Sequence, residues 1–222
     1  LLVLGMLGII WGELSAWRSK DLKRMLAFSS IGQLGMVLVA FSIPGEAGII
    51  AGIAMMLHHL VVKPGLFLLT ESWTGPISGL HGAAKQSPWA AGLFLLFALS
   101  LIGVPPFPGF WAKLLLVTGL VGTHSALYMT ALLVLLTATV IEANYLMRCA
   151  LPIFSNQQKP AETTKAPGLL NLGVISLLAL VLIGALIGVT PLGTKLAQIA
   201  TETSDKALYI RTTLPTEKLP LM

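Results

Sequence analysis

Apolar residues run through this chain in seven stretches, separated by short polar or Gly/Pro-rich breaks. A helix needs about 20 such residues to cross the hydrocarbon core of a bilayer. Leu1 to Trp17, slightly short of that length, ends on Trp17-Arg18-Ser19-Lys20, an aromatic-then-basic interface pattern. Its Gly8 and Gly12 form a small-residue face that a second helix can approach closely. Leu22 to Ile43 follows and is closed by Pro44-Gly45; Gly48 to Thr70 comes next, interrupted by Pro64. That proline displaces the Leu60 carbonyl and predicts a kink with polar backbone beside His59 and Lys63. Beyond a polar connection, Trp89 to Val104 runs into the break Gly103-Val104-Pro105-Pro106-Phe107-Pro108-Gly109.

Phe110 to Val121 is then a half-helix of about 18 Å, too short to span alone, and it carries Lys113. Ala126 to Cys149 contains Glu142 and ends near Arg148; Gly168 to Val189 is the last apolar span. The pattern predicts an all-α integral membrane protein of about six to seven transmembrane helices, one of them broken. Its expected organisation is a transmembrane core over 1–151, a polar loop over 152–167, a C-terminal transmembrane helix over 168–189 and a polar tail over 190–222. If the half-helix completes a crossing of its own, the basic residues after the first span and those between Arg148 and Lys165 fall on opposite sides. Either the short helix is re-entrant or Lys20, Lys23 and Arg24 are not loop charges, and the second resolution is preferred.

Composition supports the bilayer. The chain is 55% hydrophobic and 10% charged, where soluble domains carry roughly 25% charged residues. Its mean hydropathy is +0.86. The net charge of +5 is spread thinly over loops and tail, so no nucleic-acid footprint is expected. The single cysteine, Cys149, rules out an internal disulfide or a multi-cysteine cluster and is expected simply to pack. The chain opens with Leu1 inside an apolar stretch, without a basic n-region, which suggests a fragment or one half of a longer membrane protein.

Ionisable residues at membrane depth carry the functional signal, because a charge there costs about 2.5 to 3.5 kcal/mol even on the lenient insertion scale. His59 and Lys63 are four apart on one helix face. Two groups that both bind a proton, held close in low dielectric, cannot both be cationic cheaply, which is the chemistry a proton hop requires. The bland alternative is a carbonyl-bonded histidine with a snorkelling lysine. His58 points about 100° away and is open between the two readings. Lys113 sits beside the broken helix, where transporters build ion sites; because that helix is short, a snorkelling lysine is the alternative. Glu142, mid-span, pairs with a lysine or binds a cation; Arg148, more than one turn away and at the interface, is a weak partner. Glu13 and Glu46, near span ends, are expected at the surface, and Asp21, Lys23 and Arg24 read as a loop triplet. No phosphate loop, dinucleotide fingerprint, zinc spacing or serine elbow is present.

Three segments resemble a known family. Asp21-Leu22-Lys23-Arg24-Met25-Leu26-Ala27-Phe28-Ser29-Ser30-Ile31-Gly32-Gln33-Leu34-Gly35, Met56-Leu57-His58-His59-Leu60-Val61-Val62-Lys63 and Ser100-Leu101-Ile102-Gly103-Val104-Pro105-Pro106-Phe107-Pro108-Gly109-Phe110-Trp111-Ala112-Lys113 are similar to motifs of the antiporter-like membrane subunits. Respiratory Complex I, energy-converting hydrogenases and Mrp-type cation/proton antiporters share those subunits, and the flavour here is closest to the D-type Mrp subunit. The resemblance implies a fold of inverted five-helix repeats, of which this chain covers mainly the second. It implies proton-translocation roles for Lys23 on a central hydrophilic axis, for His59 and Lys63 as a connecting relay, and for Lys113 as terminal lysine. His58 and Glu142 are further candidates, Glu142 from depth alone.

The resulting expectation is a proton-translocating subunit of a respiratory NADH-quinone oxidoreductase or hydrogenase-type complex. Rival readings are a subunit of a multisubunit Na+/H+ antiporter without redox chemistry and an inactive structural half-subunit. The chain is expected to hold no cofactor, metal or catalytic site of its own, so any oxidoreductase activity belongs to the assembly. The coupling ion is expected to be H+, with Na+ left open. Its expected partners are other membrane subunits, including the first half, and the lipid of a bacterial or archaeal cytoplasmic membrane.

Overall fold

A computed structural model of the chain describes residues 1–156, 165–188, 193–195, 197–199 and 201. Most of these residues are helical. The order is α1 (Leu2–Arg18), α2 (Leu22–Ser42), α3 (Glu46–Leu69), a 3-10 turn (Ile77–Leu80), α4 (Ala83–Gln86), α5 (Pro88–Ile102), α6 (Pro108–Gly122), α7 (Ala126–Ile153) and α8 (Leu169–Ile187). By length and composition α2, α3, α7 and α8 can each cross a membrane. The expected boundary at 189 and most of the tail from 190 lie outside the described residues, as does 157–164 of the polar loop.

Local chemistry sets the helix ends. The Asp21 carboxylate accepts from the Arg24 backbone N–H at 2.8 Å and starts α2. Proline opens both α5 and α6, where its missing N–H costs nothing. Gly103, at φ 89°, terminates α5 in the left-handed region. α3 runs through Pro64 without ending. α1 and α2 meet at a glycine seam, Gly8 against Gly35 and Gly12 against Gly32, so close that a Cβ on Gly12 would lie 2.8 Å from Gly32 Cα. The small-residue face expected of α1 is therefore its contact with α2.

The two basic loops share one end of the bundle. Both Arg148 terminal nitrogens, at the end of α7, donate to the α1–α2 corner, at 2.8 Å to Trp17 O and 2.7 Å to Ser19 O. The loop before α5 joins them: Ile77 N–H donates to Lys20 O, and Gly82 N–H to Pro152 O. α5 thus starts, and α7 finishes, at the same end. At the opposite end Tyr128 of α7 donates to Ser42 O of α2, and Gly119 of α6 packs on Ile43. α6 therefore completes the crossing that α5 begins. This corrects the preferred expectation for Lys20, an exposed loop residue, while Lys23 and Arg24 lie on the first turn of α2; the two basic corners coincide because the short helices share one crossing.

Two apolar clusters form the core. One holds Ala16, Leu26, Val62 and Leu146 near the basic end; the other holds Ile9, Met36, Met55 and Ala138 towards the opposite end. The positions between them on the same helix faces are polar.

Candidate functional site

Between Ile9 and Ala16 on α1 the buried face carries Glu13; between Leu26 and Met36 on α2 it carries Ser29 and Gln33. His58 lies between Met55 and Val62 on α3, and Glu142 between Ala138 and Tyr145 on α7. Ser100 near the end of α5 and Lys113 on α6 complete a polar belt between the two apolar clusters.

The strongest contact in the belt is an ion pair. Lys113 Nζ donates to Glu142 Oε2 at 2.6 Å and to Ile102 O at 3.0 Å. The second acceptor is available because the Gly103–Phe107 break frees the carbonyls at the end of α5. Gly103 also leaves room for the lysine stem, since a Cβ there would lie 3.1 Å from Lys113 Cδ. Gln33 Nε2 donates to the other Glu142 oxygen at 2.6 Å. Glu142 is fully buried and the Lys113 side chain is 10% exposed. A charge pair this deep persists only because each member finds the other and further donors or acceptors besides.

A second polar group is centred on α3. Lys63, 3% exposed, donates to Ser29 Oγ at 2.6 Å and to Leu26 O at 3.3 Å. Tyr145 Oη donates to the same Ser29 Oγ at 2.7 Å. His58 Nε2 shares a hydrogen bond with Ser100 Oγ at 2.9 Å. Its Cε1 faces Gly109, the first glycine of α6, so the histidine ties α3 to both halves of the broken crossing.

Among the expected residues, the fold brings Lys63, Lys113, Glu142 and His58 to this belt. His59 is only partly buried, and its buried Nδ1 makes no hydrogen bond. The histidine that bonds to another belt residue is therefore His58, one position earlier on α3. Lys23 is exposed on the first turn of α2 and is not brought to the belt; Asp21, the cap of that helix, holds the chain there.

Glu13 corrects another expectation. It is 1% exposed, not at the surface, and neither carboxylate oxygen makes a hydrogen bond. The α1–α2 glycine seam puts it there: its carboxylate lies against the Gly32 backbone, in space a Cβ would occupy. Sequence reasoning also passes over Ser29, Gln33, Ser100 and Tyr145. The face of α1 repeating as Leu2, Gly5, Ile9, Gly12-Glu13 and Ala16 carries the helical period that points to Glu13. Among the described residues no group of three or more His, Cys, Asp or Glu is arranged to hold a metal ion.

The family described as NADH:quinone oxidoreductase/Mrp antiporter, transmembrane, matches residues 1–142, most of the chain and nearly the whole belt. The chain belongs to this family. Members of the NADH:quinone oxidoreductase/Mrp antiporter family are multi-pass integral membrane proteins, in keeping with the fold. The chain is 34% identical over 212 residues to NADH-quinone oxidoreductase subunit N of Desulforudis audaxviator, which takes in 90% of this chain and 42% of that protein. It is 30% identical over 221 residues to the D-type subunit of the Na(+)/H(+) antiporter of Alkalihalophilus pseudofirmus, covering 96% of this chain and 44% of the relative. It thus spans less than half the length of these relatives. The fold recurs in the Mrp complex of Dietzia sp. DQ12-45-1b, with TM-score 0.81, 22% identity and coverage of 96% of this chain and 49% of that one. It recurs too in an archaeal membrane-bound sulfane sulfur reductase, with TM-score 0.84, 26% identity and coverage of 96% and 44%.

Proposed function

We propose that this chain forms the second, C-terminal repeat of an antiporter-like subunit and conducts protons through its polar belt. The observation that carries the proposal is the buried Lys113–Glu142 pair, seated where a helix breaks inside the bundle. A proton delivered to Glu142 releases Lys113 from its counter-charge, and the lysine can then pass its own proton on. Lys113 and Glu142 form the exchanging pair, and Lys63 with Ser29 supplies a second basic site. His58 and Ser100 link α3 to the broken crossing; His59 stands at the edge, and Lys23 serves outside the belt.

The chain would work among other membrane subunits, in the cytoplasmic membrane of a bacterium or archaeon, with H+ as the coupling ion. A redox-driven host, as in the NADH-quinone oxidoreductase relatives, is favoured over a cation antiporter because subunit N proteins recur among the similar sequences. The antiporter reading rests on the D-type antiporter relative. Proton flux into inverted membrane vesicles, measured with a pH-sensitive dye, tests both. The proposal requires Lys113→Met to abolish flux at normal assembly. Flux driven by an electron donor and indifferent to sodium identifies the redox host, and flux that needs a sodium gradient identifies the antiporter. Normal flux in assembled Lys113→Met would refute the belt as the path.

A further inference from the structure

Glu13 is the one belt carboxylate that the proposed exchange leaves unused. An ionised carboxylate without donors in the interior is costly to keep. Yet Glu13 lies within electrostatic reach of Lys63, Lys113 and Glu142. On one side it borders an open groove of about 280 Å3 between α1 and α7, walled mainly by apolar side chains, Ile9, Ile10, Leu133 and Ile141 among them. On the other side stands the Tyr145 hydroxyl, beside the Glu13 carboxylate but donating to Ser29 Oγ at 2.7 Å. Ser29 Oγ in turn accepts from Lys63 Nζ at 2.6 Å. The sequence of groups is therefore ammonium, hydroxyl, hydroxyl, carboxylate.

We propose that Glu13 is the proton acceptor of Lys63, reached through Ser29 and Tyr145. This rests on the reading of the belt as a proton path. In the transfer, Lys63 Nζ gives a proton to Ser29 Oγ while the Ser29 hydroxyl hydrogen passes to Tyr145 Oη. The Tyr145 hydroxyl hydrogen turns from Ser29 to Glu13 and is given to its carboxylate. The products are a neutral lysine amine and a neutral carboxylic acid, with both hydroxyls restored. One ion pair is replaced by two neutral groups, so the buried net charge does not change. A hydroxyl can turn in place, so the step needs no movement of a helix. Return of the proton along the same hydroxyls regenerates the carboxylate. The belt thereby has two lysine–carboxylate arms, Lys113 bonded directly to Glu142 and Lys63 reaching Glu13 through two hydroxyls.

The test uses the assembled host complex in its native membrane vesicles, with Glu13→Gln, Tyr145→Phe and, as reference, Lys113→Met. Both new variants keep the side-chain volume, and Tyr145→Phe leaves the carboxylate untouched should Glu13→Gln fail to assemble. Removing a positioned proton-transfer group costs about a hundredfold in rate, so flux should fall by that order in each, at normal complex yield. The infrared pH-difference spectrum of the purified complex should show a carboxyl band that Glu13→Gln removes and Tyr145→Phe shifts. Wild-type flux in both variants beside an inactive Lys113→Met overturns the Glu13 arm and leaves the Lys113–Glu142 reading standing. Should Lys113→Met retain flux, the broader reading falls and the infrared band decides alone. A band that Glu13→Gln removes and Lys63→Met shifts upholds the arm, and superimposable spectra overturn it.

Discussion

The Lys113–Glu142 pair allows stability and transport to be separated. Removing one member strands the other: Glu142→Leu leaves Lys113 with Ile102 O as its remaining bond and deprives Gln33 Nε2 of its acceptor. Uncompensated buried charges of this kind destabilise by about 3–5 kcal/mol. The double variant Lys113→Met/Glu142→Leu removes both charges at similar volume, and such replacements are often neutral or stabilising by about 1–4 kcal/mol. The two single costs should therefore fail to add, with a coupling of several kcal/mol in the double-mutant cycle. The assay is unfolding of the purified complex in mixed detergent micelles, with proton flux measured on the same preparations. The expected result is that the double variant regains stability and still conducts nothing, because apolar side chains hold no proton. Additive single costs would refute the pair as a coupled unit. A stable double variant that conducts at the wild-type rate would refute it as the path.

Three further outcomes follow from the geometry. Gly12→Ala puts a methyl against the Gly32 backbone and the Phe28 carbonyl, so overpacking of about 1–3 kcal/mol is expected in the same unfolding assay; an unchanged unfolding midpoint would contradict the seam. Lys63→Met should reduce proton flux while complex yield on a native gel stays normal, because Ser29 keeps its Tyr145 partner; wild-type flux would remove Lys63 from the path. Lys20→Cys, in a Cys149→Ala background, should react with a membrane-impermeant thiol reagent from the cytoplasmic side alone. The α1–α2 corner and the end of α7 together carry Arg18, Lys20, Lys23, Arg24 and Arg148, while the corners at the other end, residues 43–47 and 122–126, hold Glu46 and His124 and no lysine or arginine. Labelling from the outer side would overturn that orientation.

Much of this arrangement is legible in the residue order, and what is not has a common cause. Stretches of near-spanning length with Gly/Pro breaks locate every long helix, since backbone in a bilayer must bond within its own segment. Depth alone picks out Lys63, Lys113 and Glu142 as charges that need partners. Which partners they find depends on helix order around the bundle, and that is set by contacts between segments far apart in the chain. Gln33 reaches Glu142 across 109 positions and Tyr145 reaches Ser29 across 116. Glu13 escapes a linear reading for a related reason. Its distance from the span end suggests the interface, but the glycine seam draws α1 against α2 along its length and covers the carboxylate. His58 and His59 differ by one position, about 100° on a helix; the direction of the bundle interior, not the pair spacing, decides which is buried.

The charges in the belt also constrain one another. Lys63 and Lys113 are bases, Glu13 and Glu142 are acids, and all four are buried between apolar clusters. A set with equal numbers of each can take up or release one proton and stay within one charge of neutrality, whichever member changes state. Each charge in such a set is attracted by two of the others and repelled by the third, so a proton arriving at one arm alters the field at the other without any contact between them. This explains why two arms would be built where one lysine–carboxylate pair suffices for a single exchange. Loss of a proton from Lys63 weakens the repulsion felt at Lys113, and protonation of Glu142 leaves Glu13 as the remaining negative charge for both lysines. The two arms are then expected to work as one unit. In a series of Glu13→Gln, Glu142→Gln and the double variant, the loss of flux caused by each substitution should depend on whether the other carboxylate is present. Independent losses that simply multiply would mean that the arms are separate sites, and the belt would have to be divided into two paths.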